Sequence, residues 1–304
     1  MRYPAARTDR QDPMADLSVS HRHPLRFGFF LVPNADDPLL ATATRVEDLG
    51  LDYIGIQDHP YQRRYVDTFA LVPFIAARTS TVRLFTDVAN LPLRHPPVLA
   101  KTAVTISRLS GGRFDLGLGA GAFWDAIAAY GGARRSPRES LEALKEAVSV
   151  IRAIWSGERG IRIEGRHYHL TGAHGGPVPE EPIGLWIGAY APKGLAFTGA
   201  VADGWTPSFR GDFAALRNMS ARIDDAARAA GRDPADIRRI LNVGGTITGG
   251  PSRGPLQGPV DQWVAELAGA AAMGFDTFVF ANDEGGQLDR FAQEVVPALR
   301  ERIR

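Results

Sequence analysis

The chain has 304 residues, 44% of them hydrophobic and 23% charged, which suits a globular protein able to bury a sizeable core rather than a disordered one. Thirty-five Lys and Arg against 34 Asp and Glu leave a net charge of +1, so no broad field would draw nucleic acid or an anionic membrane. With no cysteine, disulfides, thiolate metal sites, Cys nucleophiles and iron–sulfur clusters are excluded, and a cytoplasmic address is expected.

Residues 1–24 mix Arg, Asp, Pro and Ser without an apolar core, which predicts a flexible leader rather than a secretory signal, with Met14 as a second possible start. Residues 25–304 are expected to form one domain. Short β-branched or aromatic runs then alternate with amphipathic stretches, the pattern of βα units on a parallel sheet. Strand one is Phe27–Val32, followed by a helix with Asp37 at the N-cap, Pro38 at the first helical position and Gly50 as the stop. Strand two is Tyr53–Ile56, helix two begins after Asp67 with a kink expected at Pro73, and strand three is Val82–Ala89. Helix three places Leu99, Ala103, Ile106 and Leu109 on one face, and Ser110-Gly111-Gly112 turns the chain into strand four, Phe114–Gly119.

Ser136-Pro137-Arg138-Glu139 is a capping box with Pro at N1, and Leu141, Leu144, Val148, Ile151 and Trp155 predict the buried stripe of helix four, which ends at Gly157. The glycine- and proline-rich stretch 158–182 lacks periodicity and is expected to be an insertion over one barrel face. Strand five is Leu185–Ala189, strand six lies near Trp205, strand seven is Ile240–Ile247 and strand eight is Thr277–Ala281, each followed by a helix. Eight such units count out a (β/α)8 TIM barrel, while an open doubly wound sheet stays possible because periodicity does not demonstrate closure.

In a barrel the chemistry lies at the C-terminal ends of strands. Strand two closes on Gln57-Asp58-His59-Pro60, where a histidine beside a carboxylate is a candidate acid/base or simply a turn cap. Strand three runs into Asp87-Val88-Ala89-Asn90, offering polar groups to a ligand or to a turn. Strand four closes on Gly117-Leu118-Gly119-Ala120-Gly121-Ala122, where missing side chains allow a flat ring or phosphate to approach. That run also fits the dinucleotide fingerprint G-x-G-x-x-A, but three βα units precede it, whereas the fingerprint belongs at the first. His167 and His169 fall in the insertion with no carboxylate cluster, a spacing that hairpin alternation explains without a metal.

Gly50-Leu51-Asp52-Tyr53, Asp58-His59, the block Leu109 to Gly121, Ile187 to Pro192 and Ala202-Asp203-Gly204-Trp205 occur in an order that resembles the bacterial luciferase-like superfamily, in its coenzyme F420 (deazaflavin) dependent branch. The resemblance spans roughly Arg26 to the C-terminus and implies a deazaflavin across the barrel mouth, backed by a non-prolyl cis peptide near Asp87-Val88-Ala89. It implies Asp58 and His59 as catalytic groups and Asp58, His59 and Asn90 as ring contacts. Gly119, Ala120, Gly121 and Ala122 would follow the ring along strand four, and Gly188, Ala189 and Tyr190 would line the tail side. Arg63, Arg64, Arg94 and Lys193 are candidate cations for the tail.

Relatives of this kind that oxidise a sugar phosphate carry a glutamate at the position matching Ala122, so sugar-phosphate oxidation is not expected. Phe123 and Trp124 would make that edge of the pocket apolar or else pack in the core. The expected activity is hydride transfer between F420 and a C=C, C=N or C=O group of a small-molecule or peptide substrate, with His59 as proton donor. FMN-dependent monooxygenation and a non-catalytic cofactor-binding barrel are the alternatives. The insertion and the loop with Asn282-Asp283-Glu284 are expected to cover the pocket, and a homodimer is expected from the resemblance.

Overall fold

The computed structural model describes residues 23–303. The expected leader, Met14 included, lies outside the described residues except for His23 and Pro24. Eight parallel strands alternate with helices: β1 (Arg26–Leu31), β2 (Tyr53–Ile56), β3 (Arg83–Thr86), β4 (Phe114–Gly119), β5 (Leu185–Gly188), β6 (Gly204–Trp205), β7 (Arg238–Val243) and β8 (Thr277–Phe280). Each pairs with its neighbours in chain order, and β1 with β8 (Phe27 beside Phe278) closes the ring, so the open-sheet alternative is excluded. Strand three is shorter than expected: its ladder stops at Thr86, a cis peptide follows at Asp87–Val88, and Ala89–Asn90 resumes pairing against Leu118 and Gly119.

The barrel is a filled core, not a pore. Tyr53, Phe85 and Trp186 meet edge to face inside it, with ring centroids 4.8–5.9 Å apart, above Ile240 and Val279. Glycines make the room: a Cβ on Gly55 would fall 2.5 Å from Phe85 Cζ, and one on Gly204 2.5 Å from Trp186 Cδ1. A second, larger apolar layer lies between the outer face of the strands and the helices.

Helix α1 (Leu39–Asp48) begins two residues after Asp37; Pro38 itself occupies the cap, because Asp37 N–H closes a turn on the Asn34 carbonyl instead. In α2 (Thr68–Arg78) the Asp67 carboxylate accepts Ala70 N–H, and Pro73 lies inside the helix. In α3 (Pro96–Leu109), Leu99, Ala103 and Ile106 are buried, but Leu109 is 82% exposed because the helix ends there and turns away from the sheet. In α4 (Pro137–Trp155) the Ser136/Glu139 capping box is complete, and Leu144, Val148 and Ile151 are buried while Leu141 and Trp155 are half-buried. The remaining helices that bear on the site are α5 (Pro192–Val201) and a short turn, Trp124–Ala129, not foreseen after β4. Among the described residues no helix is long and apolar enough to cross a membrane.

The insertion is a hairpin, Ile161–Glu164 against His169–Ala173. It lies along the flank, not over the mouth: Glu146 of α4 accepts the backbone N–H groups of Arg166, His167 and Tyr168, and Tyr168 meets His95 at the start of α3. Two short strands bury Ile161, Tyr168 and Leu170 only by packing on the helices, which draws the hairpin away from the pocket. Asn282-Asp283-Glu284 is likewise turned outward, Asn282 donating to the Gly245 carbonyl and Asp283 held by Arg45.

The N-terminal end of the barrel is closed by ion pairs. Arg83 meets Asp115 and Arg238 meets Asp276, each at 3.0 Å, and Arg26 meets Asp52. Function is left to the opposite end.

Candidate functional site

A cavity of about 400 Å³ opens at the C-terminal ends of the strands. Of the sequence-predicted residues it collects His59, Asp87, Val88, Ala89, Asn90, Gly119, Ala120, Gly121, Ala122, Gly188 and Tyr190. Asp58 and Ala189 are not on its wall. A larger cleft of about 910 Å³ shares Ala120, Gly121, Gly188 and Tyr190 with it and extends past Ala189 to Lys193, Arg138 and Lys145.

Asp58, expected as a ring contact beside His59, lies off the cavity wall, and the hydrogen bond of His59 Nδ1 goes to Tyr61 instead. The Asp58 side chain is 1% exposed, one oxygen accepts Asn90 N–H at 2.9 Å, and both oxygens face the Arg94 guanidinium, at 2.7 and 3.2 Å. A buried carboxylate needs a cation, and Arg94 supplies one while also bonding Asp67. Arg94 is therefore committed to structure and is no tail contact. Arg64 is similarly paired with Asp36, and Arg63 lines neither cleft; of the four expected cations only Lys193 does.

The His59 Nδ1 partner is Tyr61 Oη at 2.7 Å, and the ring edge meets Phe123 with centroids 5.6 Å apart. Burial lowers the His59 pKa below 6.5 despite the opposing charge of Asp58, so the imidazole is neutral at pH 7. Phe123 is 67% exposed in left-handed conformation (φ 57°), starting the short helix, so it faces the cavity instead of the core. Trp124 is half-buried and off the wall, its ring packed against Gly121, where a Cβ would lie 2.7 Å away.

The glycines of β4 have a second reason. The bulge at Asp87–Val88 pushes into the strand beside it, and a Cβ on Gly117 would stand 2.0 Å from the Thr86 carbonyl oxygen, one on Gly119 2.8 Å from Val88 Cγ2. The run therefore accommodates protein first and then leaves a wall without bulk for a ligand.

The floor is polar. Asp87 is 7% exposed; Oδ1 accepts the Thr206 hydroxyl at 3.1 Å, and Oδ2 has no partner. Burial pushes its pKa up to about 7, against the hydrogen bonds from Asn242 and Thr206. The side-chain oxygens of Asn90 and Asn242 are also buried and unpartnered. Three buried oxygens without a partner on one floor are unusual, because such atoms are costly. Sequence reasoning missed Phe30, Gln57, Thr206, Ser208, Arg210 and Asn242. Asn242, alone and polar in the apolar run Ile240-Leu241-Asn242-Val243, carried a legible signal. Arg210 did not: its guanidinium lies 4.0 Å over the Tyr190 ring, whose hydroxyl accepts Ser208 N–H.

His167, in the hairpin turn, lies 3.8 Å from Glu142, whereas His169 is exposed on the second strand. Among the described residues no group of three or more His, Asp or Glu side chains could hold a metal ion.

A closed parallel barrel with a polar, glycine-walled pocket at its C-terminal face has the architecture of a TIM-barrel enzyme. Residues 27–253 match the model of the luciferase-like monooxygenase family, and the chain belongs to that family. It is 31% identical over 233 residues to the F420-dependent glucose-6-phosphate dehydrogenase of Kineococcus radiotolerans, covering 74% of this chain and 68% of that protein. The enzyme of the same name from Beutenbergia cavernae is 27% identical over 319 residues, 88% of this chain and 94% of the relative. Among solved structures, an F420-dependent secondary alcohol dehydrogenase superposes with TM-score 0.81 at 20% identity, over 91% of this chain and all of that one. A riboflavin lyase holding modified FMN superposes with TM-score 0.79 at 16% identity, over 92% of both chains.

Proposed function

We propose that this chain is a deazaflavin-dependent oxidoreductase that moves a hydride between coenzyme F420 and a C=O, C=N or C=C group of a small organic substrate. The observation that carries the reading is the cavity itself. Its floor of unpartnered Asp87, Asn90 and Asn242 oxygens suits the hydrogen-bonding edge of a flat heterocycle, and the wall of Ala120, Gly121, Ala122 and Gly188 leaves space for the plane. The names of the relatives agree with that cofactor.

When bound, the deazaflavin supplies the hydride chemistry; the protein supplies position, dryness and protons. Lys193 and Lys145 along the larger cleft would hold an anionic tail, Lys193 at the first turn of α5, while Arg138 there is paired with Glu142. Burial favours the neutral His59 imidazole, and when Tyr61 Oη donates to Nδ1 the imidazole proton sits on Nε2, the nitrogen it can offer to a substrate heteroatom. Ala122 puts a methyl group where the resemblance places the glutamate of sugar-phosphate oxidisers, so His59 works without that partner and the substrate is not a sugar phosphate. Phe123, His59 and Tyr61 form an aromatic rim suited to a flat or apolar substrate.

Titrating the apoprotein with F420 and with FMN, followed by tryptophan fluorescence, tests the cofactor. Micromolar F420 binding with much weaker FMN binding is expected. Tight FMN binding without F420 binding makes the chain a flavin monooxygenase instead, and binding of neither makes it a non-catalytic barrel. Replacing His59 with Asn should lower turnover at least about tenfold while F420 affinity stays within a few-fold; unchanged turnover removes His59 from proton transfer.

A further inference from the structure

Asp87 differs from the other groups of the pocket in what surrounds it. The charged or titratable side chains on the cavity wall are His59 from the end of β2, Tyr190 after β5 and Arg210 after β6. His59 is bonded to Tyr61, and Arg210 is stacked on Tyr190. Asp58, beyond β2, is matched by Arg94; Tyr53, lower in the plug, lies in the field of Asp115, Arg83 and Arg238. None of these cations forms an ion pair with Asp87. The other strands around it present Phe30 from β1, Gly117 and Gly119 from β4 and Gly188 from β5. Only the Thr206 hydroxyl and the Asn242 amide answer its charge.

A ring laid on this floor would cover what remains exposed of Asp87, whose Oδ2 is already sealed over Gly55 without a partner. A carboxylate without a cation, covered by an electron-rich heterocycle, is penalised further, whereas the neutral acid has no charge to desolvate. We propose that Asp87 meets the deazaflavin ring as a neutral acid, so that seating the ring above neutral pH takes up one proton at this carboxyl. The proton comes from solvent and stays on Oδ2; no bond of the ring is made or broken. The inference rests on reading the pocket as a deazaflavin site. Even before a ligand covers it, burial holds Asp87 at about 7, so the uptake begins near neutrality. An Asp87→Asn side chain keeps a donor in the same place and carries no charge.

The test is calorimetric titration of the full chain and of Asp87→Asn with oxidised coenzyme F420 at about pH 8, in phosphate and in Tris, whose ionisation heats differ. The expected result is about one more proton taken up by the wild type than by the variant. Above neutrality the wild-type Kd should weaken by about tenfold per pH unit relative to the variant, because one proton is linked to binding. Any proton exchange of the ring itself is common to both proteins and cancels. Equal uptake in the two proteins with parallel pH profiles overturns the proposal and leaves the cofactor reading standing. Absence of binding to either protein at any pH overturns both. If circular dichroism shows Asp87→Asn to be unfolded, Asp87→Ser is the neutral comparison.

Discussion

The two ends of the barrel treat buried acids in opposite ways. At the N-terminal end Asp115 and Asp276 are buried and face Arg83 and Arg238, and Asp115 also accepts Gly184 N–H. At the mouth Asp87 is as deeply buried and has a hydroxyl and an amide but no guanidinium. Burial raises the pKa of Asp115 as well, with Arg83 pulling it back. One end therefore spends its charges on closing the barrel; the other keeps an acid and two amide oxygens unmatched where a ligand can match them. Asp58 shows that the mouth is not simply short of arginine, for Arg94 reaches it from the next loop.

Breaking the closed end should have the largest effect. Arg83→Met strands Asp115 in the interior and should cost about 3–5 kcal/mol in urea denaturation near neutral pH. A cost under about 1 kcal/mol would mean that the closed end is no more dependent on its pairs than the open one.

Asp87→Asn should act in the opposite direction. The folded-state pKa of about 7 lies above the ordinary 3.8 of an aspartate, so the native state binds the extra proton in between and stability falls as pH rises from about 4 to about 7. Relative to wild type the variant should be equally stable near pH 4 and up to about 4 kcal/mol more stable at pH 8, from about 3 pKa units at 1.36 kcal/mol each. Urea unfolding at the two pH values measures this; a gain that does not change with pH points to packing rather than charge.

Smaller effects sharpen the picture of the wall. Gly119→Ala brings a Cβ to 2.8 Å from Val88 Cγ2 and should cost about 1–3 kcal/mol together with F420 affinity, because Val88 must move toward the ring. Undiminished binding would show that the bulge does not back the cofactor. Ser136→Ala, which removes only the cap of α4, should cost about 1 kcal/mol in thermal or urea unfolding.

The amino-acid sequence by itself determined the repeating elements. Strands two and four, the Asp67 cap and the Ser136/Glu139 capping box all follow from signals within a few residues, since periodicity and capping are local. The strand ends were marked as well, because a polar or glycine-rich close to an apolar run is visible without a structure. What no local pattern held was which of two similar aspartates would be matched. Asp58 and Asp87 each follow a short apolar strand, yet Arg94 lies 36 residues beyond the first, and Thr206 lies 119 residues beyond the second. The neighbouring loop after β3 decided the first, and closure of the barrel decided the second by bringing β6 and β7 across from β3. Burial and the distance to the nearest counter-charge set the state of an acid, and both are properties of the closed ring.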